Sequence, residues 1–174
     1  MRYVRLGNTS LRVSDLALGT GALASRVDEK TSLKIMDCYI GEGGTFIDTA
    51  NVYGRWNPGN LPLSERMIGR WLSFHHLRDK VILATKGAAD NEGEKGKKRL
   101  SKQEIRQDLQ DSLKNLRTDY IDLYYLHQDD PSRDVGEIME TVNELKKEGL
   151  VRYFACSNWS AQRMEEADRY AAEH

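Results

Sequence analysis

Ile121-Asp122-Leu123-Tyr124-Tyr125 is a short run of apolar and aromatic residues of the kind that forms buried β-strands. Four further runs have the same character: Leu16–Gly19, Thr45–Asp48, Val81–Thr85 and Val151–Cys156. Consecutive runs end roughly 30 to 40 residues apart, which suits one βαβ unit each. The pattern therefore predicts an α/β fold with five parallel strands joined by helices.

The segments between the runs carry helix signals. Ser101-Lys102-Gln103-Glu104 is a capping box, in which the serine hydroxyl and the glutamate carboxylate satisfy free backbone amides of the first turn. Asp134 opens another helix, and Gly149 is placed to end it in a left-handed conformation. Further helices are predicted over Thr31–Ile40, over Ser64–Leu72 and from Ser160 onward. Each predicted strand is thus followed by a helix, as a parallel sheet requires.

Two other segments have their own character. Tyr3–Leu6 and Leu11–Val13 flank the turn residues Gly7-Asn8-Thr9-Ser10, which predicts a β-hairpin. Gly87–Leu100 is rich in glycine and charge, and we expect a solvated, mobile loop there; its basic residues are Lys95, Lys97, Lys98 and Arg99. We expect residues 1–174 to form a single domain, with the hairpin in residues 1–14 and five βα units in residues 15–174.

Composition excludes several classes of function. Lys and Arg number 26 against 27 Asp and Glu, so the net charge of -1 offers no positive field for a nucleic acid or an anionic membrane. No run of about 18 apolar residues occurs, and the N-terminus lacks a signal-peptide core, so we expect a cytoplasmic protein. Cys38 and Cys156 lack metal-site spacing and are interpreted as reduced core thiols, with no metal site predicted.

Polar side chains follow the predicted strands where the strands end. Asp48 ends strand two and Tyr53 lies in the next loop, while Lys86 ends strand three and His127 follows strand four. Each has an ordinary structural interpretation when taken singly, such as a turn residue or a packing aromatic. Because parallel strands place their carboxyl ends on one rim, we expect the four to meet there. An acid, a phenol, an ammonium and an imidazole together indicate an active site.

These four side chains suit the reduction of a carbonyl group. A carbonyl that receives hydride becomes an alkoxide and needs a proton, which the phenol of Tyr53 can donate. Lys86 would stabilise the resulting phenolate, and Asp48 would hold Lys86 in place. His127 would orient the carbonyl oxygen or share in proton delivery. Because no side chain supplies hydride, a nicotinamide cofactor is required.

Five stretches carry a family resemblance: Leu18–Gly21, Phe46–Gly54, Ala84–Lys86, Asp122–His127 and Ala155–Asn158. In order and spacing they are similar to the aldo-keto reductase family. The resemblance implies a (β/α)8 TIM barrel that reduces an aldehyde or ketone to an alcohol, with Tyr53 as proton donor. It implies NADPH as cofactor, with NADH not excluded. It further implies that the nicotinamide carboxamide binds Ser157 and Asn158, and that Thr20, Gly21 and Asp48 lie near the cofactor.

Several alternatives stay open at this point. Trp56 and Trp159 are candidates for the wall of the substrate site, with packing roles equally compatible with the sequence. The chain is also compatible with a cofactor-binding regulatory module resembling the potassium-channel β subunits, or with a barrel enzyme that uses Lys86 as a Schiff-base nucleophile. Eight strands close such a barrel and the sequence supplies five. We therefore expect an incomplete barrel whose open sheet edges favour self-association.

Overall fold

The strands of the computed structural model, which describes residues 1–90, 96 and 98–174, form two sheets. β1 (Tyr3–Arg5) and β2 (Arg12–Ser14) pair antiparallel as a hairpin. A parallel sheet follows, made in spatial order of β3 (Ala17–Gly19), β4 (Phe46–Asp48), β5 (Ile82–Gly87), β6 (Ile121–Leu126) and β7 (Val151–Cys156). The strands lie side by side in chain order, as in the wall of a (β/α)8 barrel. The predicted hairpin and five parallel strands are confirmed.

Within residues 1–90, 96 and 98–174, five α-helices cover one face of the parallel sheet: α1 (Glu29–Gly41), α2 (Leu63–His75), α3 (Lys102–Leu116), α4 (Val135–Lys147) and α5 (Ala161–Glu173). The capping box at Ser101 is present, and Gly149 follows α4 with a φ of 77°, as predicted. Helix α2 is the exception at its start, because its N-cap is Pro62 and no side chain caps its first amides. It also runs three residues beyond the predicted Leu72 and ends where His76 turns left-handed, with a φ of 52°.

The core lies between the sheet and the helices. Side chains alternate along each strand, so Ile47, Leu83 and Tyr124 face the helices and are fully buried. They pack with apolar residues on the inner stripes of the helices: Met67, Ile68, Ile105, Leu109 and Ile138. The same alternation turns Asp48 and Lys86 to the opposite, inner face of the sheet. The packing of the core thus decides which face carries the polar residues.

The position of Cys38 differs from the one expected from the sequence. Both cysteines are free thiols, and Cys156 is partly buried on β7. Cys38 is exposed, because the helical repeat of α1 turns Met36 and Tyr39 toward the core and places Cys38 on the solvent side. The interpretation of Cys38 as a core thiol is wrong.

The predicted charged loop is covered only in part. Lys98 and Arg99 belong to the described residues, whereas Lys95 and Lys97 lie outside them.

Among the helices of the described chain, none has both the length and the apolar character needed to cross a bilayer. Within the same residues, no group of three or more His, Cys, Asp or Glu side chains is arranged to hold a metal ion.

Candidate active site

Lys86 is the centre of a polar cluster at the carboxyl end of the parallel sheet. Its ammonium donates to both carboxylate oxygens of Asp48 at 2.7 Å and to the carbonyl oxygen of Thr49 at 2.8 Å. The hydroxyl of Tyr53 lies 3.4 Å from the same nitrogen. The Lys86 side chain is only 10% exposed, so water screens the ion pair weakly. The structure brings together the acid, the ammonium and the phenol expected at the rim.

Backbone contacts hold the segment that carries Tyr53. The loop after β4 runs alongside β5. The Thr49 amide donates to the Ala84 carbonyl at 2.9 Å, and the Asn51 amide donates to the Lys86 carbonyl at 3.0 Å. The chain then reverses at Gly54, whose φ of 94° is costly for any residue with a Cβ. A Cβ at Gly54 would also lie 2.7 Å from the Cβ of Leu63. Only glycine suits this position, directly after the candidate proton donor.

His127 lies beside Tyr53, just past the end of β6. Its ring meets the Tyr53 ring edge-on, with 6.1 Å between the ring centroids. Burial, assisted by the positive charge of Lys86 and opposed by Asp48, lowers the pKa of the imidazole from its ordinary 6.5 to about 4. The Nδ1 atom is enclosed and has no hydrogen-bond partner among the described residues. His127 is therefore neutral near pH 7, and Nε2 is the ring nitrogen left to meet a ligand.

Ser157 and Asn158 follow β7 on the same rim. The Asn158 side-chain nitrogen donates to the His127 carbonyl at 2.7 Å and to the Ser157 hydroxyl oxygen at 3.1 Å. The amide is thereby oriented, and its oxygen remains an acceptor for a ligand. A carboxamide presents both a donor and an acceptor, which an amide oxygen and a hydroxyl complement. The residues present fit the nicotinamide carboxamide.

Thr20 and Gly21 occupy different environments although they are adjacent in the chain. A Cβ built on Gly21 would lie 3.7 Å from the Tyr53 ring, so this glycine lies against that ring. Thr20 is fully buried, and its hydroxyl bonds to the Asp48 carbonyl and to the Ser64 hydroxyl. The structure therefore places Gly21 against the Tyr53 ring, whereas the Thr20 side chain is buried against Asp48 and Ser64.

The two candidate tryptophans also differ. Trp56 is 42% exposed, and the centroid of its ring lies 6.4 Å from that of Tyr53, within the cluster. Trp159 packs partly buried against the core, donates from Nε1 to the Gln128 carbonyl at 3.1 Å, and lies under the Arg163 guanidinium. Trp56 stands where it can meet a ligand of Tyr53, whereas the contacts of Trp159 are those of a packing residue.

Glu65 is a buried residue that sequence reasoning missed. Its carboxyl accepts from the Thr85 hydroxyl at 2.7 Å and from the Asn115 amide at 3.1 Å, and desolvation raises its pKa above the ordinary value. Because Thr85 precedes Lys86, these bonds anchor the strand beside the lysine. A signal was present in the sequence, since Glu65 shares the i, i+3, i+7 stripe of α2 with Ile68 and Leu72, where a carboxylate is out of place.

Comparison with known sequences identifies the family of the chain. Residues 15–173 match the profile of the Aldo/keto reductase family. The chain belongs to this family. It is 40% identical to the uncharacterized oxidoreductase YrpG of Bacillus subtilis, over 98% of the chain and 53% of that protein. It is 35% identical to the aldo-keto reductase YhdN of the same species, over 95% of the chain and 49% of that protein.

A solved structure supports the same aldo/keto reductase fold. The holo form of the aldo-keto reductase AKR11C1 from Bacillus halodurans superimposes with a TM-score of 0.84 at 34% identity, covering 98% of this chain and 54% of that one. This aldo/keto reductase chain spans about half the length of the curated relatives it matches. Its five parallel strands and their helices thus form part of a TIM barrel, as the resemblance implies.

Proposed function

We propose that this protein reduces an aldehyde or ketone to an alcohol, using NADPH as hydride donor and Tyr53 as proton donor. Membership of the family supports the reaction class. The observation that carries the proposal is the contact of one nearly buried ammonium, Lys86, with both the carboxylate of Asp48 and the hydroxyl of Tyr53. A phenol beside an ammonium is a proton donor whose anion is stabilised at once.

The cofactor site is proposed from the same rim. NADPH, when bound, supplies the hydride that no side chain can provide. Ser157 and Asn158 would hold its carboxamide, because their hydroxyl and amide oxygen complement that group. Gly21 and Asp48 would lie beside the nicotinamide, since Gly21 lies against the Tyr53 ring and Asp48 binds the Lys86 ammonium that contacts the Tyr53 hydroxyl. We propose NADPH and not NADH because the family resemblance implies NADPH.

Proton transfer follows from the positions of three side chains. As negative charge develops on the carbonyl oxygen, the Tyr53 O–H bond breaks, the proton moves to that oxygen, and the phenolate keeps the electron pair. Lys86, 3.4 Å from the Tyr53 oxygen, stabilises the phenolate charge. Asp48 holds Lys86 with two short bonds and balances its charge while Tyr53 is neutral. The arrangement is built before substrate arrives, so little reorganisation is needed.

His127 orients the substrate in this proposal. With a pKa of about 4, its imidazole holds no extra proton near pH 7 and cannot compete with Tyr53 as the acid. A neutral ring can still donate one hydrogen bond, from Nε2, to the carbonyl oxygen. This contact would direct the oxygen toward the Tyr53 hydroxyl. Orientation is therefore favoured over proton delivery for His127.

The contacts of Lys86 argue against a Schiff-base mechanism. A nucleophilic amine must be unprotonated and free to attack a carbonyl carbon. The nitrogen of Lys86 instead faces three acceptor groups, on Asp48, Thr49 and Tyr53, which match the three protons of an ammonium.

The test is Tyr53→Phe in the complete gene product. The variant keeps the ring but loses the proton, so we expect kcat for a generic aldehyde to fall by about 100-fold or more, with NADPH affinity nearly unchanged. Tyr153→Phe is the matched control. Tyr153 lies on β7, and its hydroxyl hydrogen-bonds to Ser10 of the N-terminal hairpin instead of to Lys86. Absorbance assays and cofactor fluorescence titration measure the two quantities. Wild-type turnover in Tyr53→Phe would remove Tyr53 from the mechanism.

A further inference from the structure

We propose that three buried hydroxyls, those of Thr20, Thr49 and Ser64, form a positioning chain that holds Tyr53 and Lys86 in register for proton transfer. The inference rests on the proposed function and deepens it. All three residues are fully buried. They come from the ends of β3 and β4 and from the first turn of α2.

The direction of the chain follows from its end point. The Thr20 hydroxyl donates to the Asp48 carbonyl at 2.9 Å, since a carbonyl oxygen can only accept. Thr20 therefore accepts from the Ser64 hydroxyl at 2.8 Å. With its single proton used, Ser64 accepts from the Thr49 hydroxyl at 3.0 Å. The Ser64 hydroxyl also lies 3.2 Å from the Thr20 carbonyl oxygen, so both acceptors of its proton belong to Thr20. The series Thr49, Ser64, Thr20 ends at the Asp48 carbonyl.

These hydroxyl hydrogen bonds tie together the two ends of the loop that carries Tyr53. Thr49 and Ser64 lie at the two ends of that loop, so their bond sets its span. The backbone amide of Ser64 also donates to the Tyr53 carbonyl at 3.3 Å. The carbonyl of Thr49 accepts from the Lys86 ammonium at 2.8 Å. The two linked residues therefore hold the backbone of the proton donor and the nitrogen of its charged neighbour.

Because the three hydroxyls are buried, losing any one of them should cost free energy. A buried hydroxyl costs free energy unless it is hydrogen-bonded, so loss of one link leaves its neighbour unpaired in the interior. Ser64 is the second residue of α2, after the N-cap Pro62 and Leu63, and its hydroxyl makes no cap to the first amides of the helix. Its hydroxyl serves the strand ends instead. Helix α2 is thereby joined to the rim beside Tyr53.

The same geometry revises the role of Thr20. Its side chain has no exposed surface, and its proton is committed to the Asp48 carbonyl. We therefore assign Thr20 to positioning Asp48, in place of the contact with the cofactor that the family resemblance implies. Thr20→Val should lower kcat while leaving the affinity for NADPH unchanged. Weakened NADPH binding with normal kcat would overturn this assignment.

The main test compares two substitutions of Thr49 in the complete gene product. Thr49→Val keeps the shape and loses the hydroxyl, whereas Thr49→Ser keeps the hydroxyl and loses a methyl. We expect kcat to fall about 10- to 100-fold in Thr49→Val, with KM and NADPH affinity little changed, and to stay near wild type in Thr49→Ser. Thr141→Val is the matched control, since its buried hydroxyl donates to the Glu137 carbonyl within α4, away from Tyr53 and Lys86. A packing role would make Thr49→Ser the worse variant and overturn the proposal.

A second readout separates this inference from the proposed function. With fluorotyrosine incorporated, the fluorine NMR line of Tyr53 is identified by its loss in Tyr53→Phe. We expect that line to broaden or shift in Thr49→Val and in Ser64→Ala, but not in Thr49→Ser or Thr141→Val. If the wild-type protein reduces no carbonyl compound, the proposed function fails, and the Tyr53 line still decides the inference. An unchanged Tyr53 line in Thr49→Val and Ser64→Ala would overturn it.

Discussion

At the scale of a single residue, His127 shows how burial and two neighbouring charges set a protonation state. The pKa of its imidazole is about 4 in the fold, against an ordinary 6.5. Between these values the unfolded chain takes up a proton that the folded protein does not bind. The free energy of unfolding therefore falls as the pH drops from about 6.5 toward 4, and this group contributes no pH dependence well above that window.

Replacing His127 with glutamine should flatten this dependence. The free energy of unfolding of the wild type should drop by roughly 1 to 2 kcal/mol more than that of His127→Gln between about pH 7 and pH 4.5, a figure reduced for solvent screening of a partly exposed ring. Urea unfolding at a series of pH values measures it. His76→Gln is the control, because His76 is exposed. Equal slopes for His127→Gln and the wild type would contradict the assigned pKa.

At the scale of the elements, α2 and α3 approach one another closely at Gly69. A Cβ at this position would meet the carbonyl oxygen of Asn115 and the backbone of Leu116. One turn earlier, Glu65 accepts from the Asn115 side chain and, on its other oxygen, from Thr85. The close approach of the helices therefore keeps Glu65 within reach of both the helix and the strand that carries Lys86.

Gly69→Ala should destabilise the protein although alanine is the better helix former. The gain in helix propensity is about 1 kcal/mol, and forcing the helices apart costs more, so we expect a net loss of roughly 2 kcal/mol in the free energy of unfolding. Gly41→Ala is the matched control, because a Cβ there meets nothing within 4 Å at the end of α1. We expect that variant to be neutral or slightly more stable. Urea unfolding that ranks Gly69→Ala level with Gly41→Ala would refute the steric argument.

At the scale of the whole molecule, the parallel sheet has two edges. Within the described residues, β3 pairs only with β4, and β7 pairs only with β6. Ala17 and Gly19 on β3 are exposed. Apolar and aromatic side chains on the inner face are partly exposed: Phe46, Ile82, Tyr125 and Tyr153. Unpaired strand edges next to apolar surface are templates for pairing with another chain.

We therefore expect residues 1–174, prepared alone, to self-associate or to be poorly stable, and to show no reductase activity with NADPH and a generic aldehyde. Gel filtration with light scattering and an absorbance assay measure these properties. Ala17→Lys should reduce association by placing a charge on the edge strand β3, whereas Ala171→Lys, exposed on α5, should not. A monodisperse monomer that turns over substrate would show that five strands suffice.

The sequence by itself determined the strands, their order and the residues of the rim. Strand and helix periodicities are local properties of the sequence. An interval of one βαβ unit between strands favours a parallel sheet, and this places Asp48, Lys86 and His127 at the same rim. The capping box at Ser101 was equally readable, because donor and acceptor lie within one turn.

Tertiary structure alone decided the partners of the Glu65 carboxyl, the protonation of His127 and the enclosure of Thr20. Each depends on contacts between residues distant in the chain: Thr20 meets Ser64 across 44 positions, and the Glu65 carboxyl bonds to Asn115 across 50. The outward turn of Cys38 likewise depended on which side of α1 packs against the sheet. Desolvation and hydrogen-bond direction are set by packing between elements, which local patterns of residues do not encode.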